Sequence, residues 1–373
     1  MPDHDVLIVG AGPVGLLLAC VLLQDGLRVV VCERRTDADD RTRAIGIHRP
    51  GLDALDAVGI GTDVRSEALR LAGGEVRSRR RTLATLAFAP DRPVLILPQP
   101  RTSALLRARL QMLSPDALIP GCTVQSVRET ADAVQVLTQS GAGPRTFTAS
   151  IVVGADGVRS RLRDDLDLGW RRRPGRASYS MLDVADASPG EHAVLHCEPA
   201  GLVESFPLPG GVRRWVVREG SDGDLRDPEA FRAAIEARTG IAIPLPPVAE
   251  PTSFIAAQHG ATRLTRGRVV LLGDAAHEIS PIGGQGMNLG WVDARRLASE
   301  LARSLPHRMP ELARFEWHVL RSASRAQRRS AFYMSMGAPA PMPVVRSREL
   351  LMRALGSPPA RGWTAGLVTM RGL

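Results

Sequence analysis

Three short stretches of this 373-residue chain carry residue types, at suitable spacings, that could hold a phosphorylated, polyhydroxylated ligand. The first is Gly10-Ala11-Gly12-Pro13-Val14-Gly15, between the apolar run "DVLIV" (5–9) and the apolar "VGLLLACVLLQDG". In a strand–turn–helix, Gly10 permits the tight turn, Gly12 lets a pyrophosphate approach the backbone, and Gly15 lets the helix pack on its sheet. The helix N-terminus then faces the phosphates. A second strand, "LRVVVCE" (27–33), ends in Glu33, placed to accept hydrogen bonds from an adenosine ribose, with Arg34 directly after it. This pattern predicts a dinucleotide and leaves NAD or FAD open. The second stretch, "VVGADGVRSRLR" (152–163), ends a buried strand on Gly154 and follows it with Asp156, Gly157, Arg159, Arg161 and Arg163. By itself it reads either as a surface turn opening a helix or as part of an anion-binding, hydroxyl-binding site.

The third stretch decides between the dinucleotides. "GRVVLLGDAAH" (267–277) is a buried strand ending at Gly273-Asp274, whose carboxylate can bind the polyol of a ribityl chain. Pro281 begins an irregular loop. Gly283, Gly284 and Gly286, followed by Met287 and Asn288, open a long helix whose free N–H groups form an electropositive nest. Such a nest suits a group that becomes negative on reduction, as the N1–C2=O edge of a flavin does. FAD is the cofactor this reading implies.

Taken together, GxGxxG with a later Glu, a mid-chain Asp-Gly turn and a GD…P…GxGxN segment resemble the group A flavoprotein monooxygenases, the single-component aromatic hydroxylases typified by para-hydroxybenzoate hydroxylase. The resemblance covers about residues 1–335. It implies that Asp156 and Gly157 face FAD and the nicotinamide, which has no separate domain, and that Ser160 and Arg163 order the turn. It implies a pyrophosphate contact from Arg43, within "TRAIGIHRPGLDAL", and a ribityl contact from Arg101, within "LPQPRTSALL", ahead of Gln99. His277 is implied to stand beside the flavin loop, mostly as a structural residue. Arg214 resembles an arginine that helps move the flavin. No residue is fixed as catalytic, since the flavin does the chemistry; Pro281, Arg214 and His277 are the candidates. His196, Cys197, Tyr179 and His259 either line a substrate pocket or pack.

The implied activity is NAD(P)H- and O₂-dependent insertion of one oxygen atom, delivered from a flavin C4a-hydroperoxide, into an aromatic or polyketide-like small molecule. Hydroxylation is the expected outcome, with NADPH or NADH as reductant. Two other classes stay open: an FAD oxidoreductase of the same fold that reduces or isomerises a quinone-like substrate, and a non-catalytic flavoprotein binding partner. Intact motifs count against the latter. A flavin-halogenase tryptophan signature is absent.

Positioning these residues requires an α/β fold: a Rossmann-like FAD-binding domain of the glutathione-reductase type, an inserted antiparallel β-sheet substrate domain and C-terminal helices. The expected division is 1–70, 100–175 and 257–337 for the FAD-binding domain, 71–99 and 176–256 for the β-sheet domain, and 338–373 for a helical tail. Within these, "RTSALLRARLQML" (101–113) reads as a helix with a Thr/Ser start, and one short helix is expected near 346–355.

Composition sets the outer bounds. The net charge is +9, and because the chain has no lysine its 48 basic residues are all arginine. The arginines are dispersed, aromatic residues are 4% of the chain, and no nucleic-acid motif is present, so no nucleic-acid partner is expected. Cys20, Cys32, Cys122 and Cys197 lack metal or redox spacing and read as reduced thiols; no metal site is expected. Apolar runs are too short to span a bilayer, and "MPDHDVLIVG" enters a strand directly. A cytoplasmic monomer or homodimer without stable membrane association is expected.

Overall fold

The uninterrupted apolar runs become the centre of a parallel sheet, where strands buried on both faces need no polar alternation. The computed structural model describes residues 1–37, 44–187, 190–220, 223–246, 248–305, 307 and 309–372. β1 (His4–Val9) leads through helix α1 (Pro13–Gln24) to β2 (Val29–Glu33), a right-hand βαβ start. Helix α2 (Gln99–Leu113) precedes β3 (Leu118–Pro120); β4 (Gly143–Gly154) and β5 (Val269–Leu271) follow much later. The parallel order is β3-β2-β1-β4-β5, with Ile8 facing Val31 on one side and Val153 on the other. α1 is apolar all round because it packs between this sheet, α2 and a long helix α3 (Gly286–Ser304). β4 serves two sheets. Its first half pairs antiparallel with Val134–Ser140, and from Ala149 onward it runs parallel to β1.

The insert is a seven-stranded sheet in the order Thr252–Ala256, Ala177–Ala185, Val212–Arg218, Gly201–Leu208, His192–Glu198, Gly73–Ser78 and Arg81–Ala87. It is not wholly antiparallel: His192–His196 run parallel to Gly73–Arg77. The two segments that meet there are far apart in sequence, so a crossover and not a hairpin joins them. Alternation sends Leu182, Val203, Trp215 and Val217 to one face, against the Pro228–Thr239 helix. Tyr179, Met181, Leu195, Leu202 and Val216 go to the other, against Ile282 and Met334 of helix α4 (Ala313–Met336).

Three expectations need correcting. Val94–Ile96 leaves the large sheet and pairs with Gly46–Ile47 and Leu69–Leu71. α2 starts at Gln99, with Pro98 as N-cap and Pro100 in the first turn, where a missing N–H costs nothing. The tail holds two helices, α5 (Met342–Gly356) and α6 (Pro358–Val368), broken at Ser357 because the two prolines that follow force it out of helical geometry. Among the described residues the four cysteines are free, and no helix is long and apolar enough to cross a membrane.

α5 is fastened to the insert by one buried carboxylate. Glu349 accepts from Ser78 Oγ at 3.0 Å and from Arg79 Nε at 2.7 Å, and the Arg79 guanidinium bond holds its pKa below the usual range. Glu349→Ala strands the Ser78 hydroxyl and the arginine. It should cost about 1–3 kcal/mol, read as a lowered Tm with unchanged cofactor content.

Candidate functional site

The glycine loop is shaped by backbone contact. Gly10 sits at φ +106°, its N–H donates to the Cys32 carbonyl at 2.8 Å, and an added Cβ would lie 2.5 Å from the Ala155 carbonyl oxygen. A Cβ at Gly15 would lie 2.2 Å from the Gly10 carbonyl oxygen. At Gly12, the N-cap of α1, it would meet nothing within 4 Å. Loop and helix start are therefore closed on the protein side and open at Gly12. Glu33 braces the loop: Oε2 accepts from Ala11 N at 2.7 Å and Oε1 from Arg35 N at 3.0 Å. Arg34 is exposed, and Arg43 lies outside the described residues.

The Asp156-Gly157 turn lies against this loop, since Ala155 N donates to the Val9 carbonyl. Asp156 Oδ2 accepts from Arg161 N at 3.0 Å; Oδ1 is buried without a partner, and burial raises the carboxyl's pKa. Gly157 adopts φ +82° with open space around it. Ser160 caps the short helix by accepting from Arg163 N, and Arg163 is buried under the Trp170 ring, 3.8 Å from its centroid. Arg159 and Arg161 are exposed.

Val14 joins the third motif to the first. Its methyls lie 3.2 Å from where a Gly273 Cβ would stand and 2.6 Å from that of Gly290 on α3. Trp291 of α3, fully buried, donates Nε1–H to the Pro13 carbonyl at 3.0 Å. Asp274 is exposed at the tip of the turn, and Pro281 is exposed where the next loop starts. Gly283 and Gly284 take φ +96° and +64°, and Gly286 begins α3. Met287 packs half-buried on the core. Asn288 is buried and largely engaged by the protein: Oδ1 accepts from His48 N, while Nδ2 donates to the Gly46 and Gly284 carbonyls, each at 2.9 Å. Its side chain fixes the loop, with both N–H donors spent and one lone pair of Oδ1 left. Arg101 is likewise engaged, in a two-pronged pair with Glu67 on the surface. Gln99 donates its backbone N–H to the Ala44 carbonyl.

His277 is buried behind the loop, Nε2 2.9 Å from Asp293 Oδ2. Burial opposes its charge, but the Asp293 hydrogen bond and charge, with the Asp274 charge, outweigh it and raise its pKa. Arg214 is buried and pairs with Asp183 through two bonds of 2.7 Å. Tyr179 and Cys197 share the sheet face that meets Ile282, and burial pushes the Cys197 thiol to about 12. His196 stacks on Trp215 on the opposite face, its pKa driven down to about 4 by burial. His259 stacks on Trp170, away from that face.

Two residues went unnoticed in the sequence. Gln285, the N-cap of α3, is buried with neither amide atom partnered. His48 is buried beside Gly283 and Gly284, its pKa lowered by burial to about 4, so it stands there neutral. An unfilled amide donor and acceptor beside a helix start, an unfilled Asp156 oxygen and open space at Gly12 suit a dinucleotide with a heteroaromatic ring. These residues fit FAD.

The FAD binding domain family matches residues 3–314. The chain belongs to the group A FAD-dependent aromatic hydroxylases. Among this family's members, an anhydrotetracycline monooxygenase of Streptomyces rimosus is 31% identical, covering 98% of this chain and 76% of the relative. The crystal structure of an anhydrotetracycline hydroxylase from the same organism superposes with a TM-score of 0.80 at 29% identity, over 99% of this chain and 76% of that one. The p-nitrophenol 4-monooxygenase of Pseudomonas putida superposes at 0.87 and 23% identity, over 99% and 98%, and shows the shared fold.

The His277–Asp293 pair makes a pH prediction. A histidine whose pKa is raised in the folded state adds stability that is full below its unfolded pKa and is lost as pH rises through the folded value. Calorimetry of Asp293→Asn against the parent protein should therefore show a larger fall in Tm at about pH 6 than at about pH 9.

Proposed function

We propose that this FAD-dependent monooxygenase draws electrons from NADPH or NADH and hydroxylates a fused-ring, polyketide-like aromatic with O₂. The observation that carries the reading is the 31% identity to the tetracycline-pathway enzymes across 98% of the chain. The open space at Gly12 and the unpartnered buried atoms of Gln285 and Asp156 support it. FAD, when bound, supplies the redox chemistry that activates oxygen.

The chain's own part is binding and orientation. The N–H groups at the start of α1, reached over Gly10, Gly12, Pro13, Val14 and Gly15, hold the pyrophosphate, and Glu33 keeps lone pairs for the ribose. Asp274, on the turn that Gly273 packs against Val14, accepts from the ribityl hydroxyls. Gly286 and Met287 present backbone N–H groups, and Gln285 its amide, to the ring edge that gains negative charge, on a turn that Gly284 closes by donating its N–H to the Pro281 carbonyl. Asp156 and Gly157 border the cofactor. Arg34 and Arg43 supply positive charge near the phosphates, and Arg101, tempered by Glu67, serves the ribityl side. Pro281 keeps one side of the loop irregular. Residues 1–70, 100–175 and 257–337 form the cofactor domain, 71–99 with 176–256 the substrate domain, and 338–373 the tail. No step of the reaction needs an acid–base pair from His277 or Arg214, which are placed as buried supports. A cytoplasmic setting suits the nicotinamide supply.

Two substitutions separate binding from folding. Gly12→Ala adds a methyl where no protein atom stands and needs no unusual φ, so Tm of the apoprotein should hold while FAD affinity falls at least about tenfold. Asp274→Ala should likewise fold and lose most of its FAD; full flavin occupancy would remove Asp274 from the site. For the reaction itself, anaerobic mixing of the holoenzyme with NADPH should bleach the flavin, faster with a fused-ring phenol present. Failure of both nicotinamides to bleach it would overturn the single-component reading.

A further inference from the structure

In the middle of the sheet face that meets the flavin loop, one carboxyl stands among apolar side chains. Register places Met181, Val216, Glu204 and Leu195 side by side across four strands, with Thr252 beyond Met181 and Val76 beyond Leu195. Val216 and Leu195 belong to the same packed cluster as Leu202, Ile282 of the loop and Tyr333, whose ring lies 3.1 Å from where a Gly283 Cβ would stand. Glu204 therefore sits in the middle of this face. Only 4% of it is exposed, and no hydrogen bond or neighbouring charge offsets the burial of its carboxyl. Burial alone raises its pKa to about 8, so at neutral pH it is a carboxylic acid with one O–H to donate.

Buried acids without partners are rare in folded proteins, because each costs stability that nothing in the fold returns. The charged groups nearby act elsewhere on the face or at its edge. Arg214 is paired with Asp183 in the next row of the register, and Arg218 donates to the Met334 carbonyl and stands beside Tyr179. Arg348 and Glu198 act on Cys197, and Arg329 on Tyr333. Tyr179 and Cys197 are themselves held neutral by burial. At Glu204 the face thus offers a substrate a neutral acid, and no cation acts on that carboxyl to offset its burial.

We infer that Glu204 is the specificity residue of the substrate site: its carboxyl donates to a ring carbonyl or phenol oxygen, and the site takes neutral fused-ring ketones and phenols in preference to aromatic carboxylates. This rests on the function proposed above and narrows its substrate class. A protonated acid satisfies a carbonyl acceptor and is satisfied by it, whereas an anionic carboxylate would enter a desolvated site with no counterion.

Calorimetric titration of the FAD-loaded protein with α-tetralone, tetralin and α-naphthoate tests it. The parent protein should bind α-tetralone about tenfold more tightly than tetralin, and α-naphthoate more weakly than either. The ketone preference should be constant in mildly acid solution and fade as pH rises past about 8, where Glu204 ionises. Glu204→Gln should keep the preference and lose its pH dependence. Glu204→Leu should bind tetralone and tetralin alike and, freed of a group whose raised pKa erodes stability between about 4.5 and about 8, melt higher near neutral pH. Survival of the preference in Glu204→Leu, tighter binding of α-naphthoate, or no binding of α-tetralone would overturn the inference. Flavin content and NADPH bleaching of the parent protein, read in parallel, report on the monooxygenase reading separately.

Discussion

At Gly10 and Gly15 there is no room for a side chain: a Cβ would fall 2.5 Å from the Ala155 carbonyl oxygen in one case and 2.2 Å from the Gly10 carbonyl oxygen in the other. The ends of β1 and β4 touch through this gap, and α1 starts against the same backbone. The contact is what leaves Gly12 facing open space at a helix N-terminus, where unpaired N–H groups and the helix dipole favour an anion. Val14, the next side chain along, then acts as a peg between Gly273 and Gly290. Three turns distant in sequence are in this way held in one place by the absence of four side chains and the presence of one.

Polar groups around this point divide into two kinds. Ser160, Arg163 and the amide N–H groups of Asn288 are spent on the protein's own closure, each bonded to chain atoms or stacked. Gln285 and one oxygen of Asp156 are buried with bonding capacity left over, and the Glu204 carboxyl is buried with nothing to offset it. The first kind rigidifies the scaffold, and the second leaves polar capacity that the fold does not fill. A residue type alone does not tell the two apart: Asn288 lies inside the motif that suggests ligand contact, yet both its amide N–H groups are spent on backbone carbonyls.

Much of the cofactor half was legible because its constraints are local. Close backbone approach demands glycine at fixed spacing, and strands buried on both faces demand unbroken apolar runs such as "DVLIV" and "RVVLL". The inserted sheet was less legible because its constraints are distant. Nothing in "GLVESFPL" says which face Glu204 occupies; that is set by its register against Leu195 and Val216. The parallel pairing of Gly73–Arg77 with His192–His196, the departure of Val94–Ile96 to a small sheet, and the engagement of Arg101 by Glu67 all depend on partners that no local pattern announces. The second tail helix was missed for a nearer reason: its low apolar periodicity hid it behind its prolines.

The bonds from Asn288 to Gly46 and His48 tie together residues 242 and 240 positions apart. β5 and α3 likewise come late in the chain. During synthesis, then, the first glycine loop can meet β4 and α1 can meet α2 well before β5 and α3 emerge, and the late segments close over a partly assembled unit, so a chain cut short before α3 should keep the early sheet without the clasp that Asn288 provides.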